Sequence, residues 1–93
     1  MKIKHHQEET KGAFYIEKDH RRIAEMTYSR AGSERIIIDH TEVDDSLRGQ
    51  GVGQQLLHEL VAWVREQQLT VIPLCPFARS VFDKDHSLRD VLQ

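Results

Sequence analysis

A glycine-rich turn ahead of an amphipathic helix is the segment of this chain with the clearest capacity for chemistry. Three glycines occupy alternate positions there, Gly49, Gly51 and Gly53. Because glycine carries no side chain, the backbone can turn tightly and leave its N–H groups uncovered where the helix begins. Those first N–H groups have no partner within the helix, and the helix dipole places partial positive charge beside them. The turn therefore predicts a binding site for a phosphate or pyrophosphate.

Two familiar nucleotide-binding loops do not fit this turn. A P-loop needs a lysine followed by serine or threonine, and the chain supplies no lysine at that point. The Gly-x-Gly-x-x-Gly pattern of dinucleotide-binding folds is also absent, because the third glycine comes one residue too early. These absences argue against a nucleotide hydrolase and weaken a dinucleotide-binding fold.

The helix after the turn has one continuous apolar face. Its apolar residues recur at helical spacing: Leu56, Leu57, Leu60, Val61 and Val64. We expect a helix from Gln54 to Leu69. Gly53 extends the apolar face by one turn, which suggests that the start of the helix packs close against a strand.

Ahead of the turn, the sequence predicts an antiparallel meander that leads into a central strand. Turn signals recur about every ten residues, at Lys11-Gly12, Asp19-His20 and Ala31-Gly32-Ser33. Between them, Ala13–Lys18 is rich in strand-forming residues and Ile23–Arg30 alternates apolar with polar side chains. Ile3–Lys11 reads as a first strand or a loose leader. In Arg35–Val43, three consecutive isoleucines indicate a strand that is covered on both faces.

The residues after the helix complete a mixed α/β arrangement of the α+β class. Thr70–Cys75 is a short apolar segment, which we expect to form a strand parallel to the isoleucine-rich strand through a right-handed crossover. Pro73 within it has no N–H, so one side of that strand is unpaired there. Ala78–Lys84 predicts a short closing helix, and the tail from Asp85 is amphipathic enough to pack weakly.

The pattern Arg48-x-x-Gly51-x-Gly53 resembles the acyl-CoA pyrophosphate loop of the GNAT superfamily of N-acetyltransferases. The preceding residues also fit, since Val43 ends a strand and Arg48-Gly49 follows after four residues. Two positions depart from the family pattern: Asp45 stands where proline is common, and Leu47 stands where an aromatic residue is common.

The resemblance continues downstream and covers roughly Ile36 to Phe82. The family commonly has Asn-x-x-Ala-x-x-x-Tyr, and this chain has Cys75-Pro-Phe-Ala78-Arg-Ser-Val-Phe82 at the same spacing. Asparagine is thus replaced by cysteine and tyrosine by phenylalanine. The Leu-Cys-Pro-Phe segment in so short a chain resembles a minimal single-domain subgroup of the superfamily.

The resemblance implies that acetyl-CoA or coenzyme A is the cofactor and that the acetyl group moves to an amine. In the GNAT fold the two parallel strands splay apart, and the pantetheine arm of acyl-CoA lies between them. Val43 would then donate its backbone N–H to the pantetheine or thioester. The implied cofactor-binding residues are Val43, Leu47, Arg48, Gly49, Gln50, Gly51, Val52, Gly53 and Gln54.

Acetyl transfer to an amine needs a base for the amine, a polarised thioester carbonyl and a proton for the departing thiolate. His40 lies three residues before Val43, and imidazole titrates near neutral pH, so His40 is the first candidate base. Glu42 shares its strand face and is the second candidate, although a carboxylate base would need burial. A strand histidine bonded to a neighbouring carbonyl is the alternative for His40.

Cys75 ends the strand where acyl-CoA is expected to pass. Its thiol could protonate the leaving thiolate or attack the acetyl group itself, and His40 is the cation expected nearest to it. A packing or cofactor-contacting role for Cys75 is the alternative. The family's usual acid, a tyrosine hydroxyl, is missing at Phe82.

Two other classes of function stay open from the sequence. The loop could hold coenzyme A in a binding module with little or no catalysis, or the fold could be an interaction scaffold that binds no coenzyme A. The chain also lacks room for the two helices that usually follow the first GNAT strand and shape the acceptor pocket. That side is therefore expected to be open, which suits a protein or peptide amine.

Composition sets the remaining limits. At 93 residues we expect one domain, residues 1–93. The formal net charge of -2 provides no electrostatic footprint for nucleic acid or an anionic membrane. No membrane span or signal peptide pattern is evident, which predicts a cytoplasmic protein. A single cysteine excludes a Cys-rich zinc site, and we expect no metal. An exposed sheet edge is compatible with a monomer or a weak dimer.

Overall fold

The computed structural model describes residues 2–93 as one mixed sheet with two α-helices against one of its faces. The strands are β1 Lys4–Gln7, β2 Lys11–Lys18, β3 Arg21–Arg30, β4 Arg35–Val43 and β5 Thr70–Pro73. The helices are α1 Val52–Gln67 and α2 Pro76–Lys84. Two 3-10 segments, Asp45–Leu47 and His86–Val91, precede α1 and follow α2 respectively.

The five strands lie side by side in chain order. Strands β1 to β4 pair antiparallel, and β4 pairs parallel with β5, with Ile36 opposite Val71. The predicted meander, the parallel last strand and the α+β class are therefore confirmed.

Helix α1 buries the predicted apolar face against the meander. Leu56, Leu57, Leu60, Val61 and Val64 are all fully or almost fully buried. The helix begins at Val52 rather than Gln54, and Gly51 directly before it adopts a left-handed conformation (φ 69°) that glycine tolerates. It ends at Gln67, where Gln68 is also left-handed and donates its N–H to Val64 and Arg65 carbonyls.

The predicted turn at Lys11-Gly12 is wrong, because Gly12 lies inside β2. The chain reverses just before it, where the Glu8 N–H donates to the Lys11 carbonyl at 2.8 Å. A Cβ added at Gly12 would overlap the Tyr28 ring and lie 2.7 Å from the His6 carbonyl oxygen. Glycine is needed here to make room for a tyrosine from β3, not to reverse the chain.

An aromatic cluster of His5, Phe14, Tyr28 and Trp63 joins β1 to the rest of the sheet and to α1. The His5 ring stacks on Phe14 with centroids 3.9 Å apart, and its Nε2 shares a 2.7 Å hydrogen bond with the Tyr28 hydroxyl. The Trp63 ring meets His5 edge-on at 4.7 Å. Burial lowers the pKa of His5, and the nearby positive charge of Arg30 lowers it further. The first strand is thus fixed by side-chain packing as well as by its ladder.

The expectation that β4 is covered on both faces is wrong. Ile36 and Ile38 are fully buried beneath the helices, whereas Ile37 between them is partly exposed on the opposite face. That second face, called the open face below, carries mostly polar side chains. Antiparallel sheets often face water on one side in this way.

The segment after α2 packs against the rest of the chain more extensively than its weak amphipathicity predicts. Leu88 and Val91 are buried, and Arg65 of α1 forms a bidentate pair with Asp90 at 2.6 and 3.0 Å. The Gln93 N–H donates to the Val71 carbonyl at 3.1 Å, on the edge of β5. Within residues 2–93, no helix is long and apolar enough to cross a membrane.

Candidate functional site

A gap opens between β4 and β5 because the two strands end at different heights. Pairing stops at Pro73 opposite Ile38, whereas β4 continues to Val43. The N–H groups of Leu74 and Cys75 both donate to the Ile38 carbonyl, each at 3.1 Å, as the chain turns away. The last residues of β4 therefore lose their neighbour on that side.

The unpaired side of β4 presents the backbone of Thr41 and Val43. The Asp44 N–H donates to the Ile23 carbonyl at 2.8 Å, which marks Asp44 as facing β3. Because bonding direction alternates along an antiparallel strand, Thr41 and Val43 direct their N–H and C=O groups away from β3, into the gap. The backbone of Val43 thus borders the gap between β4 and β5.

A β-bulge in β4 determines which side chains reach this gap. Thr27 pairs with His40 and Tyr28 pairs with Ile38, so Asp39 is an extra residue. Its carboxylate accepts a hydrogen bond from the Ser29 hydroxyl. The extra residue reverses the alternation of side chains, so that Thr41 and Val43 follow Ile38 onto the helix-covered face.

His40 and Glu42 consequently lie together on the open face, as their spacing predicts. The distance from His40 Nε2 to Glu42 Oε2 is 3.8 Å. Their side chains are 60% and 72% exposed, so Glu42 lacks the burial that a carboxylate base would need.

Cys75 lies on the other face, and the expected proximity of His40 to Cys75 is wrong. The thiol is buried and donates a hydrogen bond to the Thr41 hydroxyl, with Sγ and Oγ1 3.3 Å apart. The bulge is the reason, because it places Thr41 rather than His40 on the side that faces Cys75.

The glycine-rich turn joins β4 to α1 through the 3-10 segment Asp45–Leu47. Asp44 starts this segment: the Ser46 hydroxyl and N–H both donate to its carboxylate, which holds the pKa of Asp44 below its usual range. Gly49 and Gly51 then adopt left-handed conformations, with φ of 80° and 69°. Glycine is the residue that adopts this conformation at no steric cost, so the turn depends on both.

The N-terminus of α1 leaves three N–H groups free of backbone partners. Within residues 2–93, the N–H groups of Val52, Gly53 and Gln54 bond to no backbone oxygen, whereas the Gln55 N–H reaches Gly51. The N–H of Gln50, one of the implied cofactor-binding residues, is not free, because it bonds to the Leu47 carbonyl at 3.3 Å.

The gap and the turn share one cleft of about 520 Å³, called the donor cleft below. Eight of the nine predicted cofactor-binding residues line it: Val43, Leu47, Arg48, Gly49, Gly51, Val52, Gly53 and Gln54. Gln50 does not, and it lines a neighbouring cleft beside α1 instead. Four residues that were not predicted complete the lining, namely Thr41, Asp44, Asp45 and Phe77.

Gly53 packs against Phe77 rather than against a strand, which corrects the expectation from the sequence. A Cβ added at Gly53 would lie 2.7 Å from the tip of the Phe77 ring. The ring belongs to the first turn of α2, and the Cys-Pro-Phe segment carried no signal that it would reach back to α1.

Arg48 lies at the mouth of the donor cleft and is paired with Asp45. Its Nη2 is 2.9 Å from Asp45 Oδ1, and both side chains are at least 80% exposed. No group of three or more His, Cys, Asp or Glu side chains in residues 2–93 is arranged to hold a metal ion.

The splayed parallel strands and the glycine-rich turn define a class of protein, the acetyltransferases of the GNAT fold. A GCN5-like protein from Staphylococcus aureus, provisionally assigned as an N-acetyltransferase and solved by NMR, has a TM-score of 0.75. It is 39% identical to this chain over 99% of this chain and 87% of its own. A crystal structure of a ribosomal-protein-alanine N-acetyltransferase from Brucella melitensis biovar Abortus has a TM-score of 0.67. It is 16% identical over 83% of this chain and 62% of its own, and it shows a shared fold only.

The family described as GCN5-related N-acetyl-transferase matches residues 13–91. The chain therefore belongs to this family, and acyl transfer is the class of activity that the family indicates. No curated protein matches the chain.

Proposed function

We propose that the chain binds acetyl-CoA in the donor cleft and transfers its acetyl group to an amine. The observation that supports this most directly is the combination of two sets of backbone donors in one cleft of about 520 Å³. The N–H groups at the start of α1 suit a pyrophosphate. The free backbone of β4 suits an extended arm that carries amide groups. The volume falls within the ordinary range for small-molecule sites.

Arg48 is suited to bind phosphate oxygens in this arrangement. Its present partner, Asp45, is highly exposed, and exposed ion pairs contribute little to stability. Exchanging Asp45 for a phosphate therefore costs little. A guanidinium also matches the geometry of phosphate oxygens.

The reaction we propose is direct attack. The amine nitrogen bonds to the acetyl carbonyl carbon, the carbon–sulfur bond breaks, and free coenzyme A leaves. The Val43 N–H is the candidate that polarises the carbonyl. His40, with Glu42 as the second candidate, would take the proton that the amine loses, and the Cys75 thiol would protonate the departing thiolate.

The separation of these side chains between two faces favours this division of roles. A base on the open face meets an acceptor that arrives there, and no helix covers His40 or Glu42. Cys75 is buried and does not line the donor cleft itself, but its hydrogen-bond partner Thr41 does. A nucleophilic Cys75 activated by His40 is disfavoured by the same geometry. An open acceptor side suits a protein or peptide amine.

A binding module with little or no catalysis is the second candidate function. Phe82 is fully buried and offers no hydroxyl where the family's usual acid would be. In that function the donor cleft would hold coenzyme A while no acceptor is acetylated. A cytoplasmic location, a single domain over residues 1–93 and a monomeric or weakly dimeric state stay predictions from the sequence.

Calorimetric titration with acetyl-CoA and coenzyme A tests donor binding. Gly49→Glu places a carboxylate in the turn and should abolish binding. The matched control is Gly32→Glu, because Gly32 has nearly the same φ (83° against 80°) and neither position has an atom within 4 Å of an added Cβ. Both variants carry the same strain and charge, but Gly32 lies in the β3–β4 turn. No binding by the unmodified chain, or equal binding by the two variants, would contradict the proposal.

Loss of acetyl-CoA thioester in a mixture of amines then separates the enzyme from the binding module. We expect His40→Ala and Cys75→Ala each to slow transfer by ~100-fold, the lower range for a lost acid or base. Donor binding should be unchanged in His40→Ala. Transfer that survives both changes would remove these two residues from the site, and absence of transfer by a chain that binds acetyl-CoA would favour the binding module.

A further inference from the structure

Phe77 and Leu74 are the two large apolar side chains that residues 2–93 leave exposed, at 37% and 59%. They are three residues apart, but only Phe77 lines the donor cleft. An aromatic ring left partly exposed inside a cleft has apolar surface that a ligand can cover.

The tip of the Phe77 ring lies against the first turn of α1. Three of its atoms would lie 2.7, 2.9 and 3.4 Å from a Cβ at Gly53. The ring therefore occupies the space that the missing side chain leaves, beside the free N–H groups of α1.

Helix α2 holds this ring in place without help from a ligand. Its inner face, formed by Ala78, Val81 and Phe82, is buried in the core. Pro76 provides its first residue, and the N–H of Arg79 donates to the Cys75 carbonyl at 3.0 Å. Phe77 projects from a helix that is anchored by other residues, so its ring can be removed without releasing the helix.

We propose that Phe77 recognises the flexible arm of the donor and thereby determines specificity for an arm-bearing ligand over a plain nucleotide. This inference rests on the proposed function. The donor cleft has two unlike walls: the backbone of Thr41 and Val43 is polar, and the Phe77 ring is apolar. The pantetheine arm has two matching sides, since its amides suit the backbone wall and its methyl and methylene groups suit the ring. A nucleotide without the arm needs only the turn and the start of α1.

The test compares coenzyme A with ADP, which retains the adenosine and pyrophosphate but lacks the arm and the 3′-phosphate. The effect of each variant is therefore expressed as its change in affinity for the same ligand. Calorimetry gives the affinity for coenzyme A, and competition at millimolar concentration gives that for ADP. Phe77→Ala should weaken coenzyme A binding by about tenfold, because the arm loses its apolar wall. Phe77→Leu should retain most of the affinity, and ADP binding should change by less than about twofold. Leu74→Ala is the matched control and should bind coenzyme A normally.

Each outcome bears on a different claim. Phe77→Ala that binds coenzyme A as tightly as the unmodified chain refutes the role of Phe77 and leaves donor binding intact. An equal loss for ADP and coenzyme A refutes recognition of the arm. Failure of the unmodified chain to bind coenzyme A refutes both this inference and the proposed function. If thermal unfolding shows that Phe77→Ala is misfolded, Phe77→Gln supplies a helix-compatible polar side chain and should show the same loss.

Discussion

Replacing Gly53 by alanine should weaken ligand binding and change the free energy of unfolding only slightly. The new Cβ would lie 2.7 Å from the tip of the Phe77 ring, against 3.4 Å or more for ordinary van der Waals contact. The ring tip must therefore move by about 0.7 Å, which is 3.4 minus 2.7. Because Phe77 is partly exposed and lines the donor cleft, we expect its ring to move into that cleft.

Two effects on the free energy of unfolding oppose each other. Alanine is more favourable than glycine within a helix by about 1 kcal/mol, somewhat less near its end. Overpacking lowers the free energy of unfolding by roughly 1–3 kcal/mol. We expect a value of about 1 kcal/mol here, because the ring can move toward solvent. We expect a net change within about 1 kcal/mol of zero. Affinity for coenzyme A should fall by about tenfold, because the displaced ring narrows the cleft.

A double-mutant cycle with Phe77→Ala checks this reasoning. Urea unfolding and coenzyme A titration are measured for the unmodified chain, both single variants and the double variant. Without the ring, Gly53→Ala should stabilise the chain by roughly 0.5–1 kcal/mol, which gives a coupling of about 1 kcal/mol between the two positions. Equal effects of Gly53→Ala on stability in both backgrounds would show that the ring does not occupy this space.

Two further predictions concern the meander. Gly12→Ala should destabilise the chain by about 2–3 kcal/mol in urea unfolding, because a Cβ there overlaps the buried Tyr28 ring and lies 2.7 Å from the His6 carbonyl oxygen. A stability equal to that of the unmodified chain would contradict this. For His5, burial lowers the folded-state pKa, so the unfolded chain binds more protons. The contribution of His5 to the free energy of unfolding is fully present above the unfolded-state pKa of about 6.5 and is lost as pH falls below it. His5→Phe should therefore flatten the dependence of the free energy of unfolding on pH between about 5 and 7.

The sequence was sufficient for the elements whose signals are local. The apolar spacing from Leu56 to Val64 identified the buried face of α1. The turn signals at Asp19-His20 and Ala31-Gly32-Ser33 identified two turns of the meander. The glycine-rich turn was also recognisable, because left-handed residues and free helix donors are properties of a short segment.

Features that depend on distant partners could not be predicted in the same way. A glycine can allow the backbone to turn, or it can leave room for a side chain from another element. The residues next to it in the sequence do not show which of these roles it has. Gly12 makes space for Tyr28 and Gly53 for Phe77, each from another element. Nothing near Asp39 marks it as the extra residue of a bulge, because the bulge exists only relative to the pairing with β3. For that reason the proximity of His40 to Cys75 could not be predicted correctly.

The bulge at Asp39 changes the face of the sheet to which every later side chain of β4 points. Each side chain after Asp39 lies on the opposite face from the one that simple alternation would give it. If β4 alternated regularly through Asp39, His40 and Glu42 would point toward the helices, and Thr41 and Val43 would point to the open face. This one extra residue thus determines which chemical groups the second half of β4 displays on each side of the sheet.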